Sequence, residues 1–234
     1  MNFKEELVSK FNKHNIELTN KQAEMFETYY KMIVEWNEKI NLTAITEQSE
    51  VIEKHFLDSI LPYKQFDYEA SVLDIGTGAG FPSIPLKILR PDLNITMLDS
   101  LNKRIVFLEE VINKLNLDNI TALHGRCEDM AKMPLYRESF DIVTARAVAK
   151  LNTLSEYCIP FIKTNGKFIA YKSLDIENEL TECKNAFSKL FIKHINTITF
   201  ELPSGTRNII ILTKTNKTPV QYPRLQNKPR KMPL

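Results

Sequence analysis

Cysteine is rare in this sequence of 234 residues, and its three occurrences, Cys127, Cys158 and Cys183, form no recognisable pairing or metal-binding pattern. The number is odd and no two cysteines are separated by two residues, which disfavours a disulfide framework and a cysteine zinc site. No apolar run approaches the roughly 20 residues of a membrane-spanning helix, and residues 1–6 lack the apolar core of a signal peptide. These absences predict a cytoplasmic protein with no membrane segment and no bound metal.

A large excess of one charge is also absent, because 31 basic residues face 29 acidic ones for a net charge of +2. Binding to nucleic acid through bulk charge is therefore excluded, and any such contact must come from local patches. Residues 214–234 form one patch, with six basic and no acidic residues, which leaves 25 basic against 29 acidic residues, a net charge of −4, for the rest. Hydrophobic residues make up 43% of the chain, which predicts a sizeable folded core.

The distribution of apolar residues divides the chain into three parts. Residues 1 to about 62 have helical periodicity, and Thr19 and Gln22 have the spacing of a capping box. From residue 71 onward, predicted strands alternate with predicted helices, which is typical of an α/β fold with a mostly parallel sheet covered on both faces. The predicted parts are an N-terminal helical extension (residues 1–64), an α/β core (65–215) and a basic, proline-rich tail (216–234).

Glycine is scarce too, and three of the six glycines, Gly76, Gly78 and Gly80, lie within five positions directly after the predicted strand Ser71–Ile75. Clustered glycines after a buried strand let a ligand approach the backbone where a side chain would collide. Asp99 follows Gly80 by nineteen residues, at the end of the next predicted strand, where a carboxylate can bind both hydroxyls of a ribose. The G-x-G-x-G spacing differs from the dinucleotide fingerprint, and no P-loop lysine follows.

The segment Val72–Pro82 resembles motif I of class I S-adenosylmethionine-dependent methyltransferases, which implies a Rossmann-like fold and S-adenosyl-L-methionine as cofactor. Further segments along the whole chain resemble one family, the ribosomal RNA small-subunit methyltransferase G family, also called glucose-inhibited division protein B. These segments are Asn41-Leu42-Thr43, His55-Phe56-Leu57-Asp58-Ser59, Gly80-Phe81-Pro82, Asp99-Ser100 with Lys103-Arg104, Gly125-Arg126-Cys127-Glu128, Arg146-Ala147-Val148-Ala149 and Tyr222-Pro223-Arg224.

The resemblance implies an enzyme that methylates N7 of one guanine in small-subunit (16S) ribosomal RNA. It implies that the glycine turn, including Gly78, admits the methionine end of the cofactor and that Asp99 holds the ribose. Two positions depart from the family pattern, since Ser83 and Asn227 stand where glycine is common, and both residues are tolerable there. The other cofactor contacts implied by matching positions are Gly76, Phe81, Cys127, Glu128 and Arg146.

Several polar residues are further candidates for the site. Arg146 ends the predicted fourth strand, where we expect it to position the substrate, although no catalytic residue is assigned. His55 and Asp58 share one helix face, and they either border the RNA site or cap a neighbouring loop. We predict an RNA-binding surface formed by Lys103, Arg104, Arg126 and Arg224.

Guanine N7 carries an in-plane lone pair and no proton, so its methylation requires orientation rather than a general base. The sequence agrees, because it lacks the Asn/Asp-Pro-Pro-aromatic motif used on exocyclic amines and the Pro-Cys nucleophile used on pyrimidine carbons. A methyltransferase for another RNA or a small molecule, a nicotinamide oxidoreductase and a non-enzymatic ribosome-assembly factor are the alternatives. We expect the partner to be small-subunit rRNA or the 30S particle, and the protein to be a monomer.

Overall fold

A single seven-stranded sheet lies at the centre of the computed structural model, which describes residues 1–146, 149–172 and 176–234. The strands are β1 (Ser71–Ile75), β2 (Asn94–Asp99), β3 (Ile120–His124), β4 (Phe140–Arg146), β5 (Ile162–Lys172), β6 (Ile192–Leu202) and β7 (Gly205–Lys214). Their spatial order is β3-β2-β1-β4-β5-β7-β6. Strands β1 to β5 are parallel, and β7 is antiparallel to both β5 and β6. The predicted mostly parallel α/β fold is thus confirmed.

Helices pack on both faces of this sheet. They are α1 (Phe3–Asn12), α2 (Asn20–Ile40), α3 (Gln48–Glu50), α4 (Asp58–Ile60), α5 (Ser83–Leu89), α6 (Asn102–Leu115), α7 (Cys127–Met130), α8 (Leu151–Cys158), α9 (Ile176–Glu182), α10 (Lys184–Leu190) and α11 (Lys228–Lys231). Successive strand residues alternate between two hydrophobic cores, since Val72 of β1 belongs to one core and Leu73 to the other. The alternation follows from strand geometry, in which neighbouring side chains point to opposite faces.

The N-terminal helices share the first of these cores with the sheet. The capping box predicted at Thr19 is present, with Gln22 N–H donating to the Thr19 hydroxyl. The apolar stripe of α2, which includes Phe26, Tyr29 and Ile33, is fully buried in this core. Helix α2 therefore lies directly against the part of the sheet that carries the glycine turn.

The segment between α3 and α4 is wider than an ordinary helix, because Val51–Leu57 forms a π-helical stretch. The helical periodicity of this part of the sequence predicts an ordinary α-helix over residues 48–61, and the π-helical stretch departs from that prediction. Single π-helical turns often occur at functional sites, where they change the direction of side chains. The consequence here is that His55, Asp58 and the following turn face the carboxyl ends of the strands, as described below.

An ion pair lies near each end of β7. Lys214, near its end, is fully buried and donates from Nζ to the Glu138 carboxylate and, at 2.7 Å, to the Ile162 carbonyl. Arg207, near its beginning, lies with Nε 3.4 Å from Asp58 Oδ1. The strand is thus held at both ends by residues distant in the sequence.

No helix in the described ranges is long and apolar enough to cross a membrane. Within the same ranges, no cluster of three or more histidine, cysteine or acidic side chains has the arrangement of a metal site. Ala147 and Val148 of the family segment lie outside the described residues. The sequence also predicts a charged helix over about residues 175–189, and its first residue, Asp175, lies outside the described residues as well.

Candidate active site

The glycine turn connects β1 to α5 and lies against the end of β2. Gly76 N–H donates to the Leu98 carbonyl at 2.8 Å, and Gly78 N–H donates to Asp99 Oδ2 at 3.0 Å. Gly76 and Gly78 have φ of +70° and +62°, values that a side chain disfavours. The glycine spacing therefore builds a tight turn whose backbone is fixed to the neighbouring strand.

Asp99 is the end of β2 and is only 3% exposed. Besides the Gly78 bond, its Oδ1 accepts from Leu101 N–H at 2.9 Å, and its Oδ2 accepts from Arg104 Nη1 at 3.2 Å. A carboxylate has about four lone-pair sites, so these three donors leave capacity on Oδ1. Asp99 is consequently held in one orientation and is still able to accept a hydrogen bond from a ligand.

A cavity of about 460 Å³ opens beyond the carboxyl ends of β1, β2 and β3, in the size range of small-molecule sites. Open parallel sheets bind ligands at this edge. Six of the predicted cofactor- and RNA-binding residues line it, namely Gly76, Asp99, Arg104, Arg126, Cys127 and Glu128. Sequence reasoning missed Tyr157 of α8 and Asn227 and Arg230 of the tail, which also line the cavity.

Cys127 and Glu128 begin α7, directly after β3. Glu128 is only 6% exposed, and its Oε2 accepts from the Cys127 thiol at 3.4 Å. Burial, reinforced by the Glu128 charge, raises the pKa of Cys127 far above its usual range. The thiol is therefore protonated at neutral pH, and a protonated thiol is a poor nucleophile.

The residues that line this cavity fit S-adenosyl-L-methionine. The cavity places carboxylates at two positions, Asp99 and Glu128, where hydroxyl and amino donors of a nucleoside would be bound. Gly76, with its φ of +70°, lines the same cavity and leaves its backbone open to the approach of a ligand.

Of two residues predicted to contact the cofactor, Arg146 lines a neighbouring cavity, and Phe81 packs against His55 in the wall of that cavity. The Arg146 guanidinium donates to Asp58 Oδ2 at 2.7 Å and to the Lys54 carbonyl at 3.0 Å. The Phe81 ring stacks on His55 with 4.5 Å between ring centroids, and the Arg146 guanidinium carbon lies 4.9 Å from its centroid. Neither side chain lines the first cavity, because both are engaged by the π-helical segment and α4.

His55 is held as a neutral imidazole in this cluster. Its Nδ1 lies 3.3 Å from Arg146 Nη2, and its Nε2 lies 2.8 Å from Thr43 Oγ1. A guanidinium can only donate, so Nδ1 accepts and Nε2–H donates to the Thr43 hydroxyl. Burial, together with the Arg146 charge, lowers the pKa of His55 to about 3.

The neighbouring cavity, which we term the charged cavity, also measures about 460 Å³ and lies at the carboxyl ends of β4 and β5. Its lining residues are Ile45, Lys54, His55, Asp58, Arg146, Tyr171, Lys172 and Arg207. It adjoins the first cavity, because Lys172 Nζ donates at 2.8 Å to the carbonyl of Ala149, a residue that lines the first cavity. The sequence analysis identified His55 and Asp58 as a pair on one helix face. In the structure, Arg146 contacts both residues, and Arg207 lies beside Asp58.

The predicted RNA-binding residues occupy different environments. Lys103 and Arg126 are exposed, whereas Arg104 is half-buried and paired with Asp99. Arg224 differs from the expectation of an RNA contact, because its guanidinium forms three bonds of 2.6–3.1 Å with the fully buried Glu156. Arg224 therefore anchors the tail to α8.

The tail follows a defined path to the first cavity. The Arg137 guanidinium donates to four carbonyls, including those of Thr218 and Tyr222 at 2.9 Å. Further along, the Thr153 hydroxyl donates to the Pro229 carbonyl at 3.2 Å. These contacts bring Arg230 to the cavity and leave its basic neighbours at the surface.

Comparison with known proteins agrees with this architecture. A sequence model of the family described as rRNA small subunit methyltransferase G (GidB) matches residues 22–210. The ribosomal RNA small subunit methyltransferase G of Lactococcus lactis subsp. cremoris strain MG1363 is 50% identical over 98% of each chain. The protein of the same name from Brevibacillus brevis is 50% identical over 99% of each chain. A SAM-dependent methyltransferase structure from Aquifex aeolicus has the same fold, with a TM-score of 0.54 and 17% identity over 74% of this chain and 97% of that chain.

Proposed function

Because this chain belongs to the ribosomal RNA small subunit methyltransferase G family and is an S-adenosylmethionine-dependent methyltransferase, we propose that it methylates N7 of a guanine in 16S ribosomal RNA. The observation that carries the proposal is the juxtaposition of two cavities at the carboxyl edge of the sheet. One is lined by Gly76 of the glycine turn and by Asp99, and the other is lined mainly by charged side chains. A transferase needs adjoining sites for its two substrates.

The first cavity is the proposed cofactor site. Asp99 accepts hydrogen bonds from the ribose hydroxyls, and Glu128 beside Cys127 accepts from the amino edge of the adenine. The backbone of Gly76 and Gly78 borders the methionine end, where positive φ keeps side chains out of the way. S-adenosylmethionine supplies an electrophilic methyl group when bound.

The protein's part in the transfer is orientation. Guanine N7 has a free lone pair in the plane of the ring, so no side chain has to remove a proton before attack. The protonated Cys127 and the neutral His55 are consistent with this, since neither acts as a strong base or nucleophile at neutral pH. Holding the base beside the cofactor in a fixed orientation is the protein's contribution to the rate.

The proposed RNA surface surrounds the first cavity. Lys103, Arg126 and the tail residues Lys228, Arg230 and Lys231 are exposed there and provide positive charge on a body that is otherwise net acidic. Arg104 is proposed to serve the cofactor side through its contact with Asp99. We retain as proposals the three-part division of the chain at residues 64 and 215, a monomeric state and the 30S particle as partner.

The test uses methyl-labelled S-adenosylmethionine with three substrates: naked 16S rRNA, 30S subunits from cells that lack this methylation, and a set of nucleosides. We expect label in RNA, at one guanine, and strand cleavage at that guanine after borohydride and aniline treatment, which is specific for 7-methylguanine. Label on an exocyclic amine, or on free nucleosides but not RNA, contradicts the proposal. The ratio of rates for 30S subunits and naked rRNA identifies the partner.

A further inference from the structure

The charged cavity contains a buried carboxylate held between two arginines. Asp58 is only 10% exposed in its side chain, with Oδ2 2.7 Å from Arg146 Nη1 and Oδ1 3.4 Å from Arg207 Nε. The three residues come from α4, β4 and β7, so three separate elements converge on this carboxylate. Taking such a carboxylate and two guanidinium groups out of water is costly, and the arrangement adds little to stability that apolar packing would not supply.

The geometry leaves part of this cluster free for a ligand. The two arginines use one site on each carboxylate oxygen, so each oxygen of Asp58 keeps one lone-pair site. The Arg146 guanidinium has five N–H donors, and three are used by Asp58, Lys54 and His55. The cavity therefore offers two acceptors flanked by spare cationic donors, beside the ring face of His55 stacked on Phe81.

This pattern of acceptors and donors is complementary to one nucleobase edge. Guanine presents N1–H and the 2-amino group as adjacent donors and O6 as an acceptor beside them. A carboxylate receives the two donors, and a neighbouring cationic group donates to O6. Adenine presents an acceptor at N1, which would face the lone pairs of the carboxylate and leave them unpaired.

On the basis of the proposed function, we propose that the charged cavity is the pocket for the target guanine and that Asp58 selects guanine by accepting hydrogen bonds from N1–H and the 2-amino group. Arg146 and Arg207 are positioning residues that fix the carboxylate. N7 lies on the side of the purine opposite to the edge that Asp58 reads. The first cavity lies next to the charged cavity through the Lys172–Ala149 contact, so N7 is the atom left facing it.

The first measurement changes the substrate and leaves the protein unchanged. RNA carrying inosine in place of the target guanine lacks the 2-amino group but keeps N7, O6 and N1–H. Losing one hydrogen bond to a carboxylate lowers kcat/KM for methyl transfer by about ten- to a hundredfold. We expect this loss for inosine with the unchanged protein, at unchanged affinity for S-adenosylmethionine measured by calorimetry.

The second measurement repeats the comparison with Asp58→Asn. A neutral amide oxygen makes a weaker bond than a carboxylate, so the guanine-to-inosine ratio of kcat/KM shrinks by roughly tenfold. The matched control is Asp67→Asn, which breaks a surface ion pair with Lys167 (2.8 Å) outside both cavities and keeps the full ratio. A purely structural role for Asp58 lowers the rates for both RNAs equally and leaves the ratio unchanged.

The outcomes separate the two proposals. Equal rates for guanine and inosine with the unchanged protein, or an unchanged ratio in Asp58→Asn, overturn the assignment of the pocket while methylation itself stands. No methyl transfer to either RNA by the unchanged protein overturns the proposed function as well. If Asp58→Asn does not fold, as judged by circular dichroism, the inosine comparison with the unchanged protein decides alone.

Discussion

Asp74 is a buried carboxyl directly before the glycine turn. It is fully buried at the end of β1, and its Oδ2 accepts from the Ser83 hydroxyl at 2.8 Å. Burial raises the pKa of this carboxyl to about 7, against a usual value of 3.8, even though the neighbouring hydroxyls of Thr77 and Ser83 lower it. Ser83 therefore has a definite role as a hydrogen-bond donor to Asp74.

The raised pKa predicts a pH-dependent stability. Between pH 3.8 and about 7 the folded protein keeps a proton on Asp74 that the unfolded chain releases, so the free energy of unfolding falls as pH rises through this window. The full loss is up to about 4 kcal/mol above pH 7. Asp74→Asn mimics the protonated form, so urea unfolding without cofactor should show its advantage over the parent growing from pH 4 to pH 8.

The titration of His55 changes stability with pH in the opposite direction, and it does not affect the comparison of Asp74→Asn with the parent protein. Its folded-state pKa of about 3 lies below the usual 6.5, so its contribution to stability is lost as pH falls from 6.5 toward 3. Both proteins carry His55, so its effect cancels in the difference between them. A difference in unfolding free energy that stays constant with pH would show that Asp74 is ionised throughout.

Asp99 is the residue whose change tests the cofactor site. Asp99→Asn keeps the shape of the side chain but removes its charge, and a charge-assisted hydrogen bond contributes about 1.5–3 kcal/mol. We expect affinity for S-adenosylmethionine to fall by about ten- to a hundredfold in calorimetry. Asp118→Asn is the control, an exposed carboxyl ahead of β3 that does not line the cavity. Equal affinity in both variants would contradict the assignment of this cavity.

Individual site residues could be predicted from the sequence where the interacting residues lie close together in the chain. They could not be predicted where the interacting residues lie far apart in the chain. The glycine turn and Asp99 occur close together in the chain, and the structure brings them into contact at 3.0 Å. The surroundings of Arg146 depend on Asp58, which lies 88 positions away, and no pattern in the sequence shows that the two meet. Asn227 and Arg230 were missed at the cavity because their location depends on the path of the tail.

At the scale of the elements, helix α2 of the N-terminal extension packs directly against the glycine turn. The buried Tyr29 hydroxyl of α2 donates to the Ala79 carbonyl at 2.5 Å, inside the turn. A Cβ added at the next residue, Gly80, would lie 3.0 Å from that hydroxyl and 2.6 Å from Ile84 Cγ1. The helix and the turn are therefore packed without spare room, and Gly80 is required for close approach as well as for its φ of +97°.

This contact predicts that α2 supports cofactor binding from outside the cavity. Tyr29→Phe leaves the buried Ala79 carbonyl without its donor, which costs about 1–3 kcal/mol of stability. We expect a lower urea midpoint and weaker binding of S-adenosylmethionine, because the turn loses one of its fixed points.

The adjacent Tyr30→Phe is a matched control for this prediction. Tyr30 is more exposed, and its hydroxyl donates at 3.2 Å to the Thr46 carbonyl, away from the turn. Removing it should change stability by less than about 1 kcal/mol and leave cofactor affinity unchanged. If the two variants behave alike, α2 does not support the turn.

Most of the elements were predictable from the sequence pattern. The pattern predicts strands at residues 71–75 and 140–145, which match β1 and β4 closely, because parallel strands buried on both faces are short apolar runs. The single helix predicted over residues 175–189 is divided into α9 and α10, and the proline-rich tail, where no regular structure is predicted, contains the short helix α11. The π-helical stretch Val51–Leu57 was not predictable. Over two turns, a π-helix with i→i+5 hydrogen bonds and an α-helix with i→i+4 hydrogen bonds require nearly the same pattern of apolar residues. The wider π-helical turn directs His55 and Asp58 toward the charged cavity.

For the whole molecule, the distribution of charge is the property that sets RNA binding. The tail holds the excess of positive charge, and its anchoring at Arg224 and Arg137 presents this charge beside the first cavity rather than on a free arm. Phosphate contacts of fixed position contribute both affinity and orientation.

Neutralising two exposed tail lysines tests this arrangement. Lys228→Gln with Lys231→Gln should weaken binding of 16S rRNA and lower the slope of log affinity against log salt by up to about 0.7 for each lysine that pairs with a phosphate of single-stranded RNA. Neither lysine lines the cofactor cavity, so affinity for S-adenosylmethionine should not change. The matched control is Lys184→Gln with Lys189→Gln on α10, and an equal slope for both pairs in filter binding would place the tail away from the RNA.

The two ion pairs of β7 help to select the correct register of this strand in the sheet. Residues Ile209–Leu212 are four consecutive apolar residues, so sliding β7 by two positions along β5 would still bury an apolar side chain at most core sites. Such a slip moves the strand by about 7 Å, which separates buried Lys214 from Glu138 and Arg207 from Asp58. Misaligned registers of β7 are therefore disfavoured because they leave buried charges unpaired, although hydrophobic burial alone would permit them. Asp58, which is proposed to recognise guanine, thus also helps to determine the native register of β7.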